Sequence, residues 1–205
     1  MKKLILALAA AGALAASTAA SAAAPSVTLQ ADRQTIIYGG TVSLTGQVTP
    51  AAADQKVTIT QTPMNREPRS VTVTTQTDGT FSFDASPRFN TRVVAKYGTA
   101  TSDELNVFVK PRIVLSKFAR HRFVVRVFAG RPFVGRFAWV QRWNRRAHAW
   151  RNLVRVQLQR YVRSGGASTA AFRLVVRRGT KLRAVLNDAA TRPDYVRNWS
   201  NFVVS

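Results

Sequence analysis

The sequence predicts an all-β protein, two tandem antiparallel β-sandwiches behind an N-terminal export signal. Three observations carry this. Short segments alternating apolar and polar residues, rich in Thr and Val, recur along the chain with Gly, Pro and Asp between them. The second half can be laid on the first, segment by segment. Charge also divides the chain at its middle. Residues 23–111 hold eight basic and seven acidic residues, whereas residues 112–205 hold 21 basic residues against Asp188 and Asp194, a net of +19.

The first element is the N-terminal segment. Lys2 and Lys3 precede an apolar run, Leu4 to Ala16, and Ala20-Ser21-Ala22 offers a small-x-small cleavage site. Together these predict a signal peptide over residues 1–22, the alternative being a retained anchor. No later segment approaches the ~20 apolar residues of a membrane helix, so no integral membrane segment is expected in the mature chain. The chain contains no cysteine. An exported protein of this kind is stabilised by packing alone, and thiolate metal sites, CxxC redox chemistry and thiol nucleophiles are excluded.

Residues 25–110 read as a near-neutral sandwich. "SVTLQAD" is strand-like, and "YGG" turns the chain into "TVSLTGQVTP", where Val42, Leu44 and Val48 alternate with polar residues. "QKVTITQTP" and "RSVTVTTQ" follow with the same period. Asp78-Gly79 supplies the left-handed conformations of a tight turn. "TFSFDAS", "NTRVVAKYG" and "ELNVFVKP" complete about seven strands, and Pro111, which cannot donate to a ladder, marks the end of the last.

Residues 112–205 read as a strongly basic second sandwich. "RFVVRVFAG" falls on "TVSLTGQV", "GRFAWVQRW" on "DQKVTITQT" with Gln141 over Gln61, and "NLVRVQLQ" on "RSVTVTTQ". "TAAFRLVV" falls on "GTFSFDAS", and "GTKLRAVLN" on "NTRVVAKYG" with Thr180 over Thr91 and Ala184 over Ala95. "SNFVVS" falls on "SDELNVFV". The short linker "VKPRI" predicts two units end to end with limited bending.

These motifs resemble secreted bacterial Ig-like repeat proteins of high-GC, actinobacterial type. The first unit carries "YGGTVSLTGQVTP…KVTI…DGTFSF…NT", and the second a sister pattern through Trp150, Phe172, Tyr195 and Ser200. The resemblance spans the mature chain. It implies an Ig-like fold and an extracellular spacer, adhesive module or cell-envelope protein without enzymatic activity. Val93 occupies a region where the family often has an aromatic residue, a departure that removes the expected tyrosine corner from the first unit.

One stretch, "WVQRWNRRAHAWRNLVRVQLQRYVR" (139–163), admits two structures. Trp139, Trp143, Ala147, Trp150, Val154, Leu158 and Tyr161 are spaced as an amphipathic helical stripe, which would make a membrane-active cationic protein. Against this, Val154 to Gln159 alternates strictly, and the repeat demands two strands with a loop at Asn144–His148. The hairpin agrees with both local and long-range patterns and is the prediction. With Val154, Val156 and Leu158 inward, Arg155, Gln157 and Gln159 face water. By the same rule Phe172, Leu174, Leu182, Ala184 and Leu186 face inward, and Arg173, Lys181 and Arg183 outward.

The surplus arginines are the candidate site. Arg142, Arg145, Arg146, Arg151, Arg155, Arg173 and Arg183 are candidates for binding a polyanion such as a teichoic-type phosphate, an acidic polysaccharide or extracellular DNA. Codon bias accounts for Arg over Lys but not for the shortage of Asp and Glu. Trp143 and Tyr161 are candidates for stacking on sugars or bases, a carbohydrate-binding alternative. Trp139 and Trp150 are expected as core anchors. His121, His148, Asp188 and Asp194 fall in no catalytic or metal-binding motif, and no cofactor, metal or sequence-specific nucleic acid is expected. The resulting expectation is a secreted protein of the extracellular space or cell envelope, retained electrostatically on anionic polymer through its basic unit.

Overall fold

The computed structural model describes residues 24–205. The signal segment expected over residues 1–22 lies outside the described residues. The regular structure of the described residues is almost entirely β-strand, in four sheets that form two tandem sandwiches.

The first sandwich contains β1 (Ser26–Val27), β2 (Gln30–Ala31), β3 (Thr35–Ile37), β4 (Val42–Thr49), β5 (Lys56–Pro63), β6 (Arg69–Thr74), β7 (Thr80–Ala85), β8 (Thr91–Tyr97), β9 (Ala100–Thr101) and β10 (Leu105–Lys110). β1 and β2 pair with β4, which also pairs with β7; the facing sheet runs β3-β10-β8-β5-β6, with β9 on β8. The single strand expected over "SVTLQAD" is therefore two short pieces, after which the chain crosses to the facing sheet as β3, parallel to β10. The inward residues of the alternating segments, among them Val42, Leu44, Val48, Val57 and Ile59, are fully buried. At Gly79 (φ +77°) a Cβ would lie 2.9 Å from the Val48 carbonyl oxygen, so this turn requires glycine.

The second sandwich contains β11 (Arg112–Ala119), β12 (Arg122–Phe128), β13 (Phe137–Asn144), β14 (Ala149–Gln157), β15 (Arg160–Val162), β16 (Ala167–Arg173), β17 (Lys181–Leu186), a single helical turn α1 (Asp188–Thr191) and β18 (Asn198–Val204). Its sheets run β11-β12-β16-β15 and β14-β13-β17-β18. These are the A-B-E-D and C′-C-F-G orders of an immunoglobulin sandwich. The stretch 139–163 contributes the β13–β14 hairpin rather than a helix. Asn201 strengthens the seam between the two sheets. Its side-chain amide accepts from the Leu115 N–H (3.1 Å) and donates to the Leu115 carbonyl (3.0 Å), as a neighbouring backbone would.

The repeat is visible in the pairing itself. β4 pairs with β7 as β12 does with β16, and β5 lies between β6 and β8 as β13 lies between β14 and β17. The register of β13 on β5 is that of the two segments laid one on the other, and it corrects one expected match. Ile59 pairs with Ala95 on the adjacent strand of the first sandwich and Val140 with Ala184 on the adjacent strand of the second, so Gln61 corresponds to Arg142, and Gln141 to Thr60. Gln141 and Gln61 therefore point to opposite faces, since adjacent positions of a strand alternate.

Only Pro111 separates β10 from β11. The junction is packed and hydrogen-bonded. Asn90 of the first sandwich donates through its side chain to the Pro193 carbonyl (2.8 Å) and through its backbone to the Asp194 carbonyl (2.8 Å). Its side-chain oxygen accepts from the Val109 N–H (2.8 Å). Asp194 accepts from Arg66 of the first sandwich at 2.9 Å and from Arg131 of the second. The Phe89 ring lies between the Arg66 guanidinium (3.4 Å) and Tyr195 (5.6 Å), and Tyr195 packs on Phe133. The buried apolar residues of both sandwiches consequently form one continuous core.

Candidate functional site

The outer face of the β14-β13-β17-β18 sheet collects every tryptophan in the chain. Ala138, Val140, Leu182, Ala184 and Leu186 fill the inner face, so alternation turns Trp139, Gln141 and Trp143 outward on β13, and Lys181, Arg183 and Val185 outward on β17. Pairing sets these residues in rows. Arg155, Trp139, Val185 and Trp199 cross the sheet in one row, and Asn152, Gln141, Arg183 and Phe202 in the next. Trp150 stands opposite Trp143 at the end of the hairpin, with ring centroids 5.5 Å apart.

Trp139 and Trp150 are therefore surface residues and not core anchors, contrary to expectation. For Trp139 the cause is the register of β13, whose small Ala138 and Val140 fill the inner positions. For Trp150 it is a bulge. The register shifts between Val140 and Gln141, leaving Leu153 as an extra residue in β14. Uninterrupted alternation from Val154 and Val156 would turn Trp150 inward, but the extra residue reverses the parity and re-aims it.

Cations lie over these rings. Arg183 stands 4.3 Å from the Trp150 ring and 5.4 Å from the Trp199 ring. Gln141 holds it in place by accepting from its Nε at 2.9 Å, and Gln141 is itself anchored by donating to Asn152 at 2.8 Å. Burial among these groups lowers the Arg183 pKa from its ordinary value; a guanidinium remains charged at physiological pH. Arg155 stands 4.2 Å from the Phe137 ring and 5.6 Å from Trp139. Lys181 covers Phe202, and Lys110 of the first sandwich approaches Trp199. Trp199 and Phe202 remain 51% and 58% exposed, so the rings offer open surface as well as cation contacts.

The two side-chain carboxylates of residues 112–205 lie elsewhere. Asp194 is held between Arg66 and Arg131, and Asp188 pairs with Arg192 at 3.8 Å. They do not form a carboxylate pair. Among the described residues no group of His, Asp and Glu is placed to hold a metal ion, and no helix is long and apolar enough to cross a membrane.

The candidate arginines fall into three places. Arg155 and Arg183 belong to the aromatic face. Arg142, Arg145 and Arg146 line a cleft at the far end of the second sandwich; Arg151 is exposed on β14 opposite Arg142. Arg173 lies on β16 of the other sheet, opposite Arg122, and Tyr161 lies on β15 of that same sheet. Tyr161 is thus separated from Trp143 and does not share a surface with it. Trp199, which the sequence also offers for stacking, does belong to this face, whereas no local pattern singles out Phe137, Gln141 or Lys110 for it. The available signal was the repeat, which makes the final strand a neighbour of β17.

No protein-family model and no curated protein matches the sequence. Solved structures similar to it include a tetra-tandem repeat from the extending region of a large adhesion protein, with a TM-score of 0.39 and 13% identity, covering 89% of this chain and 49% of that one. A marsupial T cell receptor is similar with a TM-score of 0.35 and 8% identity, covering 88% of this chain and 100% of that one. The chain thus spans about half the length of the adhesion-protein structure.

Proposed function

We propose that this is a non-enzymatic extracellular Ig-like protein that binds anionic polysaccharide on the outer face of its C-terminal sheet. The observation that carries this reading is the gathering of all four tryptophans on one sheet face, interleaved with Arg155, Arg183 and Lys181 and free of carboxylates. Sugar rings stack on exposed aromatic surfaces, while Arg forks donate in pairs to carboxylate or ester oxygens. Four strands span about 14 Å, enough for a few pyranose rings in succession. The net charge of +19 over residues 112–205 draws the polymer in from a distance. The export-type N-terminal sequence puts such polymers, including those of the cell envelope, within reach.

Affinity electrophoresis in gels containing polygalacturonate or dextran sulfate tests the proposal. Both polymers should retard the protein, and Trp199→Ala should weaken retardation by about tenfold, the loss of one stacked ring. Equal retardation of wild type and Trp199→Ala would refute the stacking face. Tighter binding to single-stranded DNA than to either polysaccharide would count against the assigned ligand class.

A further inference from the structure

The cleft at the far end of the second sandwich has a composition of its own. Arg142, Arg145 and Arg146 enter it from the β13–β14 hairpin, and Arg177, Arg178 and Lys181 from the segment leading into β17. Its volume is about 630 Å³. None of the five ion pairs among the described residues involves any of these six cations. Two separate loops therefore bring six like charges together with none of them in an ion pair, and the nearest carboxyl group, that of Ser205, is engaged by the Gly179 N–H (3.3 Å); repulsion opposes this arrangement and a bound anion relieves it.

Each loop is held by contacts that leave the guanidinium groups free of that task. Asn144 accepts from the backbone N–H groups of Arg146 (3.0 Å) and Ala147 (3.2 Å), and His148 closes the turn in a left-handed conformation (φ 44°). On the other side, the Arg177 carbonyl accepts from the Thr180 hydroxyl (2.6 Å) and from the Ser205 hydroxyl (2.8 Å). The backbone of both walls is thus set before a ligand arrives, which lowers the ordering cost of binding. Trp143 forms part of the wall and also touches Trp150, so the cleft opens directly onto the aromatic face.

We infer that this cleft is a subsite for tetrahedral oxyanion esters, the sulfate or phosphate groups of a modified polysaccharide. A carboxylate has two coplanar oxygens and is satisfied by one Arg fork. Six cations converging from two walls exceed that need and match a group presenting three or more oxygens in different directions. The inference rests on the polysaccharide reading for its polymer, and on the cleft alone for its charged group.

Calorimetric titration of the protein with inorganic tripolyphosphate, at about 50 mM salt to limit screening, tests the cleft without any sugar. Wild type should bind, and Arg177→Gln/Arg178→Gln should weaken binding by about tenfold, as expected when charge-assisted contacts are removed. The exposed pair Arg122→Gln/Arg126→Gln on the opposite sheet removes the same charge and should change binding by less than about twofold. Trp199→Ala should leave tripolyphosphate binding unchanged. In affinity gels Arg177→Gln/Arg178→Gln should lose the preference for dextran sulfate over polygalacturonate while still binding the latter. No tripolyphosphate binding by wild type, or equal losses in the two double variants, would overturn the subsite. Tripolyphosphate binding without polymer binding would uphold it and remove the polysaccharide reading instead.

Discussion

Tyr195 shows how a single residue ties the C-terminal loop to both sandwiches. Its ring packs between Phe89 and Phe133, and its hydroxyl accepts from the Gly130 N–H at 2.7 Å. Burial pushes its pKa from 10 up to about 12. A phenol that ionises later in the folded than in the unfolded chain contributes stability that is complete below pH 10 and lost as pH rises through about 12. Thermal melts from pH 9 upward should therefore fall more steeply for wild type than for Tyr195→Phe. The variant should be less stable by ~1–3 kcal/mol at neutral pH, because the Gly130 N–H loses its acceptor. Parallel pH slopes would refute the assignment. Sequence placed Tyr195 within a family pattern but could not reveal its partners. Phe89, Gly130 and Asp194 are brought together by the meeting of two sandwiches, and no local periodicity encodes that.

At the scale of elements, the β13–β14 hairpin shows which signals prevail. A 3.6-type stripe through Trp139, Trp143, Trp150 and Leu158 coexists with strict alternation from Val154 to Gln159, and the alternation, backed by the repeat, gives the observed strands. The element type was legible because both local and long-range patterns supported it. The faces of its tryptophans were not, because a bulge changes parity without leaving a distinctive composition. Leu153 is half-buried against the core and is the unpaired residue. Deleting it should restore one-to-one pairing of Asn152 with Gln141 and keep Trp150 outward. Polymer binding should then stay within about twofold of wild type, while stability falls by ~1–2 kcal/mol for the lost packing. A marked blue shift of tryptophan emission on deletion would show instead that Trp150 had turned inward.

Across the whole molecule, the contrast between the halves was legible as charge, and the two tandem sandwiches as repeated alternation. The stiffness of their union was only partly so. "VKPRI" announced a short connection, but the carboxylate shared by Arg66 and Arg131 depends on residues as far as 128 positions apart. With a continuous core across the junction, wild type should unfold in a single calorimetric transition. Asp194→Ala leaves Arg131 without its carboxylate and Arg66 with only the Met64 carbonyl (2.9 Å). Because Arg66 and Arg131 are partly solvated, the cost should be ~2 kcal/mol, below that of a fully buried pair. The variant should resolve two transitions and show a larger radius of gyration in solution scattering. A single transition with unchanged dimensions would mean that the apolar contacts suffice without Asp194.

The one-residue connection at Pro111 has a further consequence. A protein tethered through a flexible linker presents its binding surface in all directions, and finds a ligand by sampling them. Here the first sandwich acts as a handle that cannot be turned independently of the blade. Lys110, at the end of that handle, already leans over Trp199. Wherever the N-terminal sandwich is held, the aromatic face acquires a fixed compass bearing, and a polymer strand must approach along that heading to be bound.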